Sequence, residues 1–397
     1  MDALMLPSNW QRVRLGDVAE IIGGGTPSTQ ITSFWNGSIN WFTPTEIGIT
    51  KYVHKSQRTI TPLGLKKSSA KLLPIGTILL TSRASIGDCA ILKVVATTNQ
   101  GFQSLIPLEK INNEFLYYLM LTLKNKLLKL ASGSTFLEVS PNKIKNLLIP
   151  LPPLNEQIAI ANILSDVDHY LYSLDALILK KESVKKALSF ELLSQRKRLK
   201  GFNQAWQRVR LGDIANYLTS NLSAEQITQQ GKIKVYDVNN FIGYTNTTFI
   251  SDKPYISIVK DGSVGRVRIL PPKTNILSTM GALVANHKTT TEFLFYLLSN
   301  FDFKNFTSGS IIPHIYFKDY KEKTIFLPPL NEQIAIANIL STLDNEIASL
   351  KNKKRQFENI KKALNHDLMS AKIRVLKKIN APKSQGQTHL KRKPLSF

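Results

Sequence analysis

The stretch Leu151-Pro152-Pro153-Leu154-Asn155-Glu156-Gln157-Ile158-Ala159-Ile160-Ala161-Asn162-Ile163-Leu164 returns letter for letter as Leu327 through Leu340, an offset of 176 residues. Identity at a fixed offset marks a chain built twice. The Pro-Pro pair fixes an extended entry, and apolar residues then fall at Ile160, Leu164, Val167, Leu171, Leu174 and Ile178. The second copy runs Ile336, Leu340, Leu343, Ile347 and Leu350, passes a polar Lys354, and resumes at Phe357 and Leu364. Alternating steps of four and three residues form the apolar seam of a coiled coil. Each run covers about 40 residues, or ~60 Å at ~1.5 Å per residue, too long and too narrow in its stripe to be buried alone. The pattern predicts two long helices, one closing each repeat, that pair antiparallel and relate the two halves by a pseudo-two-fold axis.

Trp10-Gln11-Arg12-Val13-Arg14-Leu15-Gly16-Asp17 likewise recurs, as Trp206 through Asp213, at an offset of 196. Weaker echoes lie between the anchors: Ser85-Ile86-Gly87 with Ser263-Val264-Gly265, Glu114 through Leu119 with Glu292 through Leu297, and Ser132-Gly133-Ser134 with Ser308-Gly309-Ser310. The offset has dropped to 178 by Ser85, so the first copy carries about 18 extra residues, expected between Gly23 and Gly48 where loop formers and aromatics gather. Short β-branched and aromatic runs such as Gly76 to Thr81 and Lys232 to Tyr236, broken by Gly, Pro, Asn and Ser, read as strands. One helix is expected late in each copy, from Glu114 to about Leu130 and from Thr291 to about Phe301. The fold class is therefore α+β: two mixed, largely β globular domains joined by two long helices forming an antiparallel coiled coil. The segments are 1–150 and 201–326 for the globular domains, 151–200 and 327–376 for the long helices, and 377–397 for a basic tail.

Among 397 residues, 52 Lys and Arg stand against 28 Asp and Glu, a net charge of +24. Such an excess speeds encounter with a polyanion and otherwise costs self-repulsion, which favours nucleic acid as partner. It is spread along the chain: residues 8–150 carry +9, 206–326 carry +5, and from Lys372 onward there are 8 basic residues and no acid. Cys89 alone excludes an internal disulfide or a multi-cysteine zinc site, and the six histidines, His54, His169, His287 and His366 among them, lack metal-ligand spacing. No basic leader or ~18-residue apolar run appears, so the chain is expected in the cytoplasm with no membrane partner. There is no phosphate-binding Gly-x4-Gly-Lys-Ser/Thr loop, and Gly23-Gly24-Gly25, followed by Thr26-Pro27, reads as a flexible loop. The Pro-Pro pairs at Pro152, Pro271 and Pro328 lack the flanking residues that an amino-methyltransferase needs. No catalytic constellation emerges, so the expectation is a non-catalytic chain with two reading heads.

Gly24-Gly25-Thr26-Pro27-Ser28, Phe34 through Pro44, Ser82 through Gly87, Thr98 through Phe102, and above all the twice-used Pro-Pro-Leu-Asn-Glu-Gln helix opening make the chain similar to the specificity subunits of type I restriction-modification systems. The similarity spans essentially the whole chain, although the second domain has Asn239 to Tyr244 where the first has its Trp-Phe-Thr-Pro segment. The resemblance implies two target-recognition domains on double-stranded DNA, two modification subunits docked on the helical regions, and restriction subunits that translocate and cleave. It also implies that S-adenosylmethionine, ATP and Mg2+ belong to those partners and that this chain holds no cofactor and no metal. The competing reading is a stand-alone basic coiled-coil scaffold that binds DNA without a methyltransferase.

The repeat sorts the candidate contacts. Residues common to both domains cannot distinguish two different half-sites, so Ser85 and Ser263, Gly87 and Gly265, and Ser132, Ser134, Ser308 and Ser310 suit phosphate contacts or backbone turns. Positions that differ within the matched frame are the better readers: Ser82 and Arg83 face Lys260 and Asp261 at offset 178, and Glu138 faces His314 at offset 176. Arg can take guanine O6 and N7 together, and carboxylates can accept from cytosine N4. Thr43, Thr45, Lys143 and Arg266 complete the set of DNA-contact candidates. Asn155, Glu156, Gln157 and their copies Asn331, Glu332, Gln333 sit at the helix starts, where Asn suits a cap and Glu the first turn, and where exposed faces could dock a partner.

Overall fold

The computed structural model describes residues 6–133 and 137–375, and these divide into two compact units. The first takes the described residues up to Tyr172 and those from Arg355 onward, and the second takes Ser173–Lys354. The expected basic tail at 377–397 and Ser134 lie outside the described residues.

In the first unit a five-stranded sheet runs Ala19–Gly23, Gln103–Pro107, Ile78–Leu80, Cys89–Leu92 and Tyr52–Val53. Ile78, Leu80, Cys89, Ile91 and Leu105 bury one face against the helix Asn113–Leu130 through Phe115, Leu116 and Leu119. A second sheet places Trp35–Phe42 between antiparallel Arg58–Ile60 and parallel Ala96–Thr98. The second unit repeats the plan. Its four-stranded sheet orders Ala215–Thr219, Met280–Ala285, Tyr255–Val259 and Val267–Leu270, and its three-stranded sheet sets Ile233–Tyr236 between antiparallel Phe241–Thr245 and parallel Asn275–Ile276.

These pairings relocate the insertion. Trp35–Phe42 and Ile233–Tyr236 occupy the same central place, so residues before them match and the excess comes later, in the connections 43–57 and 61–77 where the second domain has only 237–240 and 246–254. The first of these carries Tyr52–Val53, the fifth strand that the second domain lacks. Counting residues between anchors could not locate it because only strand pairing shows which segments correspond. Gly24 and Gly25 also depart from expectation. A Cβ at Gly24 would sit 1.9 Å from the Asn99 carbonyl oxygen and one at Gly25 2.3 Å from the Ser69 hydroxyl, so this stretch is packed backbone, with glycine required for close approach.

The two long helices are Leu154–Leu193 and Leu330–Met369, 40 residues each. Within the first unit Tyr170 meets Phe357 at 4.6 Å, and Asp168 pairs with Lys361. Within the second, Asp175 pairs with Lys354 at 2.7 Å, Lys181 with Glu346 at 2.5 Å and Lys185 with Asp344. Numbers rise along one helix as they fall along the other, so the two run antiparallel in each unit. The seam serves two purposes. Leu174, Ile178 and Ile347 are buried along it, whereas Ile160 and Leu164, with Leu368 and Met369, complete the first domain's core, and Ile336 and Leu340, with Leu192, complete the second's.

Candidate nucleic-acid interface

The identical octapeptides begin each domain and the identical helix openings end it, and the two meet. Gln11–Arg14 pairs antiparallel with Leu148–Leu151, and Gln207–Arg210 with Thr324–Leu327. Across this clasp the Trp10 indole donates to Glu156 Oε2 at 3.1 Å, and Trp206 donates to Glu332 Oε2 at 3.0 Å. Both carboxylates are buried. Each also receives an arginine from just beyond the end of the other long helix: Arg374 on Glu156 at 2.8 Å and Arg198 on Glu332 at 2.6 Å. The Glu332 hydrogen bond pushes the Arg198 guanidinium above its ordinary pKa. Gln157 Nε2 donates to the carbonyls of Lys110 and Pro152 while its Oε1 accepts from the Asn112 amide, and Gln333 does the same with Lys288, Pro328 and Thr290.

Glu156, Gln157, Glu332 and Gln333 are therefore buried and occupied within the chain, which removes their side chains from any docking face. Asn155 and Asn331 are exposed, but each lies inside the first turn, where its Oδ1 accepts from the following Glu amide at 2.9 Å. Pro153 and Pro329 instead take the amides of Glu and Gln onto their carbonyls, so neither Asn is the cap.

A second joint repeats as well. Tyr118 donates to Asp168 at 2.5 Å, and Asp168 pairs with Lys361. Tyr296 donates to Asp344 at 2.8 Å, and Asp344 pairs with Lys185. Burial, followed by the hydrogen bond to the carboxylate, holds both phenols well above their usual pKa. Sequence reasoning assigned no role to these residues or to Arg198 and Arg374. The available signal was the offset: Asp168 with Asp344, Lys185 with Lys361 and Arg198 with Arg374 are all 176 apart.

Each domain presents the same two-loop frame. Ser132 and Glu138 exchange backbone hydrogen bonds at 3.0 Å, as Ser308 and His314 do at 2.9 and 2.7 Å. The amide of Val139 donates to the Ser82 carbonyl at 3.1 Å and that of Ile315 to the Lys260 carbonyl at 2.9 Å, tying the hairpin to the preceding loop. Gly87 and Gly265 take φ of +88° and +81°, a conformation that favours glycine and supports the turn role expected of these shared residues. On this frame the divergent candidates come together as pairs: Arg83 with Glu138 at 2.8 Å and Asp261 with His314 at 2.7 Å.

The remaining candidates fall into place around it. Ser82 is buried, its hydroxyl turned from solvent, so it cannot contact DNA without moving. Lys260 and Ser85 are half-buried, and Ser132, Ser263, Ser308 and Ser310 are exposed. Lys143 donates to Ser132 Oγ at 3.0 Å and to the Leu130 carbonyl at 2.8 Å. Arg266 donates to Asn239 Oδ1 at 2.8 Å. Thr43 is half-buried and bonded to Glu46 at 2.8 Å, and Thr45 beside it is exposed. Among the described residues no helix is long and apolar enough to cross a membrane, and no His, Cys, Asp and Glu cluster could hold a metal.

Comparison with known proteins gives the same architecture a context. A family model described as the type I restriction modification DNA specificity domain matches residues 7–181 and again 203–359. The chain is 29% identical to the type I restriction enzyme MjaIX specificity subunit of Methanocaldococcus jannaschii, over 93% of this chain and 95% of that one. It is 36% identical to the EcoR124I/EcoR124II specificity subunit of Escherichia coli over a shorter region, 39% of this chain and 40% of the relative. Its fold matches the crystal structure of the type I restriction-modification S subunit from M. genitalium with a TM-score of 0.59 at 22% identity, over 92% and 98% of the two chains.

Proposed function

Because the chain belongs to the type I restriction-modification DNA specificity family, whose specificity subunits recognise DNA and leave catalysis to partner subunits, we propose that each of its two domains reads one half of a bipartite, asymmetric DNA site. The paired long helices set the gap between the halves. Two modification subunits that bind S-adenosylmethionine and methylate adenine dock on outward helix faces, and restriction subunits using ATP and Mg2+ translocate and cleave. The observation that carries this reading is one two-loop frame, built twice, with different charged side chains at matching places. A shared frame approaches DNA in the same way, and different side chains read different bases. The excess of basic residues on both domains supplies a salt-sensitive hold on phosphates.

Adenine methylome sequencing of cells with and without this gene tests the proposal. A split motif that vanishes with the gene is the expected result. An unchanged methylome, or DNA binding by the purified chain with no fixed motif and no co-purifying methyltransferase, would return the scaffold reading.

A further inference from the structure

Arg83 and Asp261 occupy one position of the shared frame, Glu138 and His314 the other, and in passing from one domain to the other the acid and the base change places. In the first domain the cation stands on the early loop and the acid on the hairpin. In the second the acid stands on the early loop and the imidazole on the hairpin. All four side chains remain between 30% and 42% exposed, open to a ligand while engaged with one another. The exchange keeps an oriented pair in place and moves its basic member from one loop to the other.

The chemistry decides which member meets DNA. A carboxylate facing a phosphate-lined groove is repelled unless a cation screens it, whereas a guanidinium has five N–H donors and keeps several free after one carboxylate contact. An acid that fixes a donor group also lowers the cost of ordering it on binding. We propose that the basic member of each pair is a specificity-determining residue and the acid its positioning partner: Arg83, held by Glu138, takes the O6 and N7 acceptors of one guanine, and His314, held through Nδ1 by Asp261, contacts a base of the other half-site with its remaining ring nitrogen. This rests on the reading of each domain as a half-site reader. It makes the first half-site strict for guanine at one position and the second more tolerant at its own, since a fork discriminates better than a single contact.

The test uses the complete complex with its modification subunits, comparing wild type with R83A, E138Q, H314A and the transplant R83D/E138H, which installs the second domain's pair on the frame that already carries it elsewhere in the chain. Adenine methylomes give the motif. Competition binding with duplexes altered one base at a time gives the discrimination. R83A and the transplant are expected to lose a guanine requirement at one position of one half-site, with discrimination there falling about 10- to 100-fold and the other half-site unchanged. H314A should relax only the opposite half-site, and E138Q should keep the guanine with weaker preference. A motif identical in all variants, with binding weakened evenly for every duplex, would overturn the pair as readers and leave the bipartite reading standing. A wild-type methylome without a split motif would overturn both.

Discussion

Glu156 stands in a stretch repeated without change, and Trp10 from the other invariant stretch and Arg374 from beyond the second long helix converge on its buried carboxylate. Breaking a buried charge pair by removing one member costs more than the pair is worth, because the other is left without compensation. Arg374→Ala, which leaves the buried Glu156 carboxylate without its cation, is therefore expected to destabilise the first unit by about 3 kcal/mol, read as a lower urea midpoint, with little effect of salt. Cys89 gives a second expectation. Burial pushes its thiol from the usual 9.0 up to about 12, so the folded chain keeps a proton that the unfolded chain loses. Stability from this group is intact below pH 9 and is lost as pH rises toward 12, with a slope of up to about 1.4 kcal/mol per pH unit. Alkaline unfolding that is unmoved by Cys89→Ser would contradict it. The identity of the two repeated stretches was legible in the sequence, but their contact was not, because periodicity shows which face of an element is apolar and says nothing about which buried polar groups meet.

At the scale of elements, the long helices were the most legible part, since a seam of four and three survives one polar position at Lys354 without losing phase. The two late helices also fell where amphipathic spacing set them, at Asn113–Leu130 and Thr291–Ser299. What the seam could not express is its double duty. Ile160 and Leu164 obey the same spacing as Leu174 and Ile178 yet face a globular core, because apolar spacing fixes an angle around the helix and not the identity of the neighbour. The extra strand Tyr52–Val53 was hidden for a related reason: two residues give no alternation to read, and pairing with Cys89–Leu92 supplies their order. The recognition candidates were legible as positions where the copies differ. Their assembly into Arg83–Glu138 and Asp261–His314 was not, since each pair joins loops 53 to 55 residues apart.

For the whole molecule, helix length is expected to act as a ruler. Two heads engaging one face of a duplex must be separated by about a helical turn, ~34 Å, or a multiple of it. Matched insertion of one heptad into each long helix, between Leu174 and Ile178 and at the facing part of the other, adds about 10 Å, roughly three base pairs at ~3.4 Å each. The methylome of such a variant should show both half-sites unchanged and a longer spacer. Altered half-site bases would mean that the helices contribute to reading and do not merely separate the readers.

The division of the chain into its two units also sets an order of events during synthesis. The second unit is one continuous segment, Ser173–Lys354, whereas the first needs residues from Arg355 onward: Lys361 for Asp168, Asn365 for the Tyr118 carbonyl, Leu368 and Met369 for its core, and Arg374 for Glu156. The half that leaves the ribosome first therefore cannot finish until residues through Arg374 have emerged, the reverse of the usual N-terminal-first order. A nascent chain stalled with residue 354 just outside the tunnel should resist limited proteolysis across 206–326 and be cut within 8–150, and release of the full chain should protect both. Protection of the early segment in the stalled chain would show that those late contacts only trim a domain already formed.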